Sequence, residues 1–193
     1  ALLGAPLDEN SSFLTGAAEA PAAVREALAS DSTNWSTECG LDLAALRDAA
    51  AGWTDAGDTA ADLDAIRGAV AAELDAGRRP LVLGGDHSVT LPVLRALAAR
   101  HGALTVLHLD AHPDLYDELD GNRLSHACPF ARAFEEGLVR RLVQVGVRTM
   151  NDHQRRQAAK FGVQTLPPGC WNPNSLPELA APLTVKSAVL KPS

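Results

Sequence analysis

Leu104-Thr105-Val106-Leu107-His108-Leu109-Asp110-Ala111-His112-Pro113-Asp114 sets an apolar run directly before a burst of ionisable side chains. Leu104 to Leu109 is rich in Leu and Val and is closed by an aspartate, which is the pattern of a strand buried in a parallel sheet. Pro80 to Leu83 (PLVL) and Leu142 to Val147 (LVQVGV) share that pattern. Around them, Pro21 to Ala29, Ala60 to Ala76, Leu91 to His101 and Asn151 to Phe161 repeat apolar and small residues at helical spacing. Pro92 falls at the start of its helix, where a missing N–H is tolerated, and Gly102 closes the same helix. Strands alternating with helices predict an α/β sandwich on a parallel sheet. With one helix between them, strands 80–83 and 104–109 are expected to be neighbours.

The whole chain fits one globular domain with a real core, at 193 residues, 46% hydrophobic and 21% charged. Lys plus Arg number 17 against 24 Asp plus Glu, a net charge of −7. That balance argues against a nucleic-acid groove or an anionic membrane surface, both of which need clustered positive charge. No stretch approaches the roughly 20 apolar residues that span a bilayer. Cys39, Cys128 and Cys170 are odd in number and form no CxxC, which speaks against a disulfide framework or a thiolate zinc site and makes a reducing, cytoplasmic setting the default. Residues 1–164 read as the domain. Residues 165–193 hold six of the twelve prolines and no sustained period, so they are expected to form a divergent, poorly ordered tail.

Two loops at strand carboxyl ends carry the chemistry, Gly84-Gly85-Asp86-His87-Ser88 and Asp110-Ala111-His112-Pro113-Asp114. In open α/β sheets that edge is where ligands bind. If extended geometry persists past the strand, Asp110, His112 and Asp114 at i, i+2 and i+4 project to one side. Two carboxylates pressed together without a positive charge would raise a pKa and protonate one of them; a divalent cation removes that cost. His87 adds a fourth ligand, and the glycines before it let the backbone approach closely. Carboxylate and imidazole ligands suit Mn or a similar borderline ion, shared in a pair roughly 3.5 Å apart whose water ionises near neutral pH.

Plainer readings stand beside these. Asp86 also reads as a helix cap, and the Asp120 to His126 loop as a surface turn. His108 reads as a core or ligand-orienting histidine, His101 as a partner of a helix C-terminus, and His153 as solvated surface. Cys128 reads as a small buried residue. Asp86, His87 and Ser88 are consecutive and cannot form a nucleophilic triad, and no GxSxG is present.

GGDHS (Gly84 to Ser88), LHLDAHPDLYD (Leu107 to Asp117), GNRLSHA (Gly121 to Ala127) and RRLVQVGVR (Arg140 to Arg148) resemble the ureohydrolase superfamily of arginases and agmatinases, plant-type arginase above all. LLGAPLDENSSFLTG (Leu2 to Gly16) belongs to the same resemblance, which runs to about Val163. It implies a three-layer α/β/α fold, two manganese ions, and hydrolysis of arginine to ornithine and urea, with agmatine as the alternative substrate. By the same resemblance His87, Asp110, His112 and Asp114 match the metal ligands, Asp110 bridging the ions. Asp114 and His126 match the proton-handling groups of catalysis. His112, Asp114, Tyr116, Asp120, Gly121, Asn122 and Ser125 match positions that meet the guanidino substrate. A homo-oligomer and a mitochondrial location are further implications. The chain departs from the family after Val163, where no SxDxDxxDP motif follows. It is therefore expected to be a truncated member, weakly active or inactive, or a non-catalytic form that associates with full-length relatives. A binuclear phosphoesterase is disfavoured by the lack of an Arg or Lys clamp in these loops.

Overall fold

The computed structural model describes residues 1–47, 52–166, 168–170 and 188–190. Its elements run β1 (Leu2–Ala5), α1 (Ala20–Ala29), α2 (Leu43–Arg47), β2 (Asp55–Asp58), α3 (Leu63–Asp75), β3 (Leu81–Gly84), α4 (Thr90–His101), β4 (Leu104–Leu109), α5 (Pro129–Glu135), β5 (Val139–Val145), α6 (Asp152–Phe161), β6 (Gln164–Leu166) and β7 (Ala188–Leu190). Local chemistry sets several boundaries. The Asp62 carboxylate accepts from the Ala65 N–H at 2.8 Å and starts α3. Asn151 and Gln154 form a reciprocal capping box at α6, and Gly162, at φ 65°, ends that helix in the left-handed region.

Among the described residues all strand pairs are parallel, so the fold is α/β as expected, but the strands there form two sheets, β2-β1-β3-β7 and β4-β5-β6. The expected pairing of strands 80–83 and 104–109 is therefore corrected. Both edges of β3 are occupied, by β1 on one side and β7 on the other, which leaves no place for β4. Strands β1 and β2, four residues each, and β6 and β7, three each, are too short to show a period of their own.

Helix α4 joins the halves because it is apolar on two faces. Val93, Ala96 and Leu97 pack with Leu3, Val82, Ile66 and Val70, while Leu91 and Leu94 pack with Leu115, Phe130 and Leu142. The burial of β4 is uneven: Leu107 and Leu109 are exposed, the latter by 70%, while His108 between them is buried. Of the segment 165–193, Thr165 and Leu166 complete β6 and 188–190 pair with β3; its other residues, apart from 168–170, lie outside the described ones. Among the described residues no helix is long and apolar enough to cross a membrane.

Candidate metal centre

The loop after β3 is clamped to the exit of β1. The Gly85 N–H donates to the Ala5 carbonyl at 2.9 Å and the Asp86 N–H to the Leu7 carbonyl at 2.7 Å. Gly85 lies so close that a Cβ there would stand 1.9 Å from the Leu7 carbonyl oxygen, so only glycine permits the approach. Asp86 does cap the following turn, its Oδ1 accepting from the Ser88 N–H at 2.8 Å, while its Oδ2 accepts from the Asn10 N–H at 3.0 Å. His87 is delivered buried at the end of this clamp.

The loop after β4 turns at once. The Asp110 N–H donates to the Val145 carbonyl at 3.1 Å, and the Ala111 carbonyl accepts from the Arg148 N–H at 2.9 Å. Asp114 then takes φ 46°, a left-handed conformation that a non-glycine residue holds only at a cost. The extended run expected over 110–114 does not form, so Asp110, His112 and Asp114 do not share a face.

The turn changes which side chains meet. Donor atoms of His87, His108, Asp110 and Asp114 all lie within 4.8 Å of one another. Nδ1 of His87 and Oδ2 of Asp114 are 2.5 Å apart, and Nε2 of His108 is 3.6 Å from Oδ2 of Asp110. The rings of His87 and His108 stack at 5.2 Å, and Phe130 closes on both, 5.7 and 4.5 Å away. His112 stands outside this group. Its side chain is 58% exposed, with Nδ1 3.3 Å from Oδ1 of Asp110. His108, which its place on the strand suggested only as a supporting residue, stands inside.

His126 reaches the same region by another path. A shallow cleft is lined by Ser11, Phe13, Leu14, Gly85, His87 and His126. Nδ1 of His126 is 3.0 Å from the Asn10 carbonyl and 3.2 Å from Oγ of buried Ser125. Asn10 was not singled out in the sequence, yet it ties three loops. Its Nδ2 donates to Ser88 Oγ at 3.2 Å, and its Oδ1 accepts from Asn122 Nδ2 at 3.0 Å. Only its position in the Leu2 to Gly16 stretch pointed to it. Asp120 and Gly121 occupy the centre of a tight turn at φ 53° and 76°, closed by paired bonds between Leu119 and Asn122. Tyr116 is engaged with α6: its hydroxyl accepts from Asn151 Nδ2 at 2.6 Å, and its ring stacks on His153. His153 is thus half-buried rather than solvated, with Nε2 accepting from the Asp117 N–H at 3.2 Å.

Burial lowers the pKa of His108 below the ordinary imidazole value, against the opposing pull of Asp110, so the ring is held neutral. Burial pushes the Cys128 thiol up to about 11, which fits its reading as an inert packed residue. The donor set of carboxylates and imidazoles, without a thiolate, fits a divalent cation. Asp114 is buried and Asp110 nearly so, and gathering two acidic groups there is favourable when a cation offsets their repulsion.

The Arginase family model matches residues 1–180 of the chain. Arginase 1, mitochondrial, of Arabidopsis thaliana is 45% identical over 177 residues, covering 84% of this chain and 51% of that protein. Guanidino acid hydrolase, mitochondrial, of Homo sapiens is 34% identical over 190 residues, covering 92% and 52%. Among solved structures, the arginase from Medicago truncatula superposes with a TM-score of 0.78 at 41% identity, covering 94% of this chain and 58% of that one. The chain spans about half the length of the curated relatives it matches. A family match over nearly the whole chain, on a parallel α/β fold with a His/Asp cluster at its loop edge, places this chain in the Arginase family.

Proposed function

We propose that the His/Asp cluster binds a manganese pair and takes a guanidino substrate, arginine first and agmatine as the alternative, for hydrolysis to urea and an amine. The observation that carries this reading is the convergence of His87, Asp110 and Asp114 from two loops to within 4.8 Å, in a chain 45% identical to plant arginases. When bound, the ions supply Lewis acidity and a water ionised near neutral pH. His87, Asp110 and Asp114 hold the cations, with His112 beside Asp110 at the exposed side completing the set. Asp114 passes a proton to the departing amine, and His126, anchored through Asn10 and Ser125, relays protons between the cleft and solvent. Asp120, Gly121, Asn122, Ser125 and Tyr116 face the amino-acid end of the substrate in this proposal.

Within these 193 residues the family's SxDxDxxDP aspartates do not occur. The exposed Leu107 and Leu109 on β4 favour a second role, association with another copy or a full-length relative. The mitochondrial names of the relatives extend to this chain as the proposed location.

Manganese binding followed by the paramagnetic signal of the free ion, together with urea release from arginine and agmatine, tests the proposal. Binding that Asp110→Asn abolishes supports the metal site. Urea release above the metal-only rate supports the reaction. Absence of manganese binding would overturn both, and binding without urea from either substrate would overturn the activity.

A further inference from the structure

Gln144 lies on β5 directly across from His108 on β4 and is completely buried. Its Nε2 is 2.6 Å from the Pro113 carbonyl oxygen, which can only accept. The nearby atom must therefore be the NH2 group, which settles the orientation of the amide. That same NH2 stands 3.1 Å from Nδ1 of His108. An amide NH2 donates and does not accept, so Nδ1 has to be the acceptor. A neutral imidazole that accepts at Nδ1 carries its proton on Nε2. Nε2 of His108 is buried, has no hydrogen-bond partner, and lies 3.6 Å from Oδ2 of Asp110.

We propose that His108 is a positioning residue rather than a metal ligand: Gln144 locks it as the Nε2–H tautomer, and that N–H steers the Asp110 carboxylate. The inference rests on the cation-binding reading of His87, Asp110 and Asp114. With the Nε2 lone pair committed to hydrogen and Nδ1 turned onto Gln144, neither ring nitrogen of His108 has a free lone pair for a cation. Asp110 Oδ2 receives the N–H after a shift of a few tenths of an ångström, while its Oδ1 accepts from the His112 N–H at 2.8 Å, so donors on both oxygens set the plane of the carboxylate. Phe130 and the His87 ring fix the plane of the imidazole, so the donor's direction is set before any ion binds. His108 thus belongs to the cluster by distance and is separated from it by its tautomer.

The test begins on the wild-type protein with histidine labelled by ¹⁵N, without metal and then with Zn²⁺ as a diamagnetic probe. The expected result is a protonated Nε2 and an unprotonated Nδ1 for His108 in both states, while a ring nitrogen of His87 shifts on zinc addition. A protonated Nδ1 in the metal-free protein, or loss of the Nε2 proton of His108 on zinc addition, would overturn the proposal. If the wild type binds no Zn²⁺ or Mn²⁺ at all, the cation reading fails, while the metal-free tautomer still decides the role of Gln144. Two variants add a second readout. His108→Phe keeps the stacking and Gln144→Leu removes the lock; each is expected to weaken Mn²⁺ affinity about 10- to 100-fold with folding cooperativity retained. Unchanged affinity in a folded His108→Phe protein would overturn the steering role.

Discussion

Gly85→Ala is the substitution that most directly couples fold to site. The added Cβ would lie 1.9 Å from the Leu7 carbonyl oxygen, 2.7 Å from its carbon and 2.8 Å from its nitrogen, all backbone atoms that no rotamer change can move. An ordinary contact needs about 3.4 Å, so the β3 loop and the β1 exit must separate by about 1.5 Å. That separation carries the Gly85–Ala5 and Asp86–Leu7 bonds, now 2.9 and 2.7 Å, out of hydrogen-bond reach. Two lost bonds at about 1 kcal/mol each, with overpacking of about 1 kcal/mol or more, give a destabilisation of about 3 kcal/mol. With a urea m-value of about 2 kcal/mol per molar, the unfolding midpoint falls by about 1.5 M. His87 moves with the loop, so Mn²⁺ affinity falls at least about tenfold in the protein that remains folded. The control is Gly68→Ala, in α3, where an added Cβ meets nothing within 4 Å. It should stabilise by about 0.5 to 1 kcal/mol. A Gly85→Ala protein with wild-type midpoint and wild-type Mn²⁺ affinity would refute the clamp.

Phe130→Ala removes a ring only 1% exposed that packs on both His87 and His108; a loss of about 3 to 5 kcal/mol should lower the melting temperature by about 10 °C, read by calorimetry. The hydrogen bonds from Arg78 hold the Glu73 carboxyl below its ordinary 4.5. Because the folded value is depressed, its stabilisation is present above that pH and lost as pH falls through the lower folded value. Denaturation midpoints of wild type and Glu73→Gln should therefore differ at neutral pH and converge in acid. A thiol reagent at mildly alkaline pH should modify exposed Cys39, whose neighbours Thr37 and Leu41 lower its pKa, well before buried Cys128; peptide mapping with Cys128 modified first would contradict the burial.

Much of the architecture was legible because it is written in local periodicity. The helices expected at 91–101 and 151–161 appear as Thr90–His101 and Asp152–Phe161, and the strand at 104–109 has the same bounds in the structure. Caps such as Asn151 and Gly162 are local chemistry too. The arrangement of strands was not legible. The separation of β3 from β4 depends on a pairing with residues 188–190, about a hundred positions away, which no window of sequence contains. Asn10 was overlooked for the same reason, since its value lies in reaching Ser88, Asn122 and His126 at once.

By itself, the sequence determined that two loops at strand ends carry the ionisable groups, because an apolar run followed by Gly-Gly-Asp-His or Asp-Ala-His-Pro-Asp leaves little else for those side chains to do. Only the tertiary structure decided which of them converge. The bend after Asp110 and the positive φ of Asp114 leave His112 exposed beside Asp110, its Nδ1 3.3 Å from Oδ1, and the cross-strand register with Gln144 sets buried His108 against Asp110 Oδ2. Spacing along a chain fixes direction only while the backbone stays regular; beyond the strand end, hydrogen bonds from other segments set where each donor atom lies.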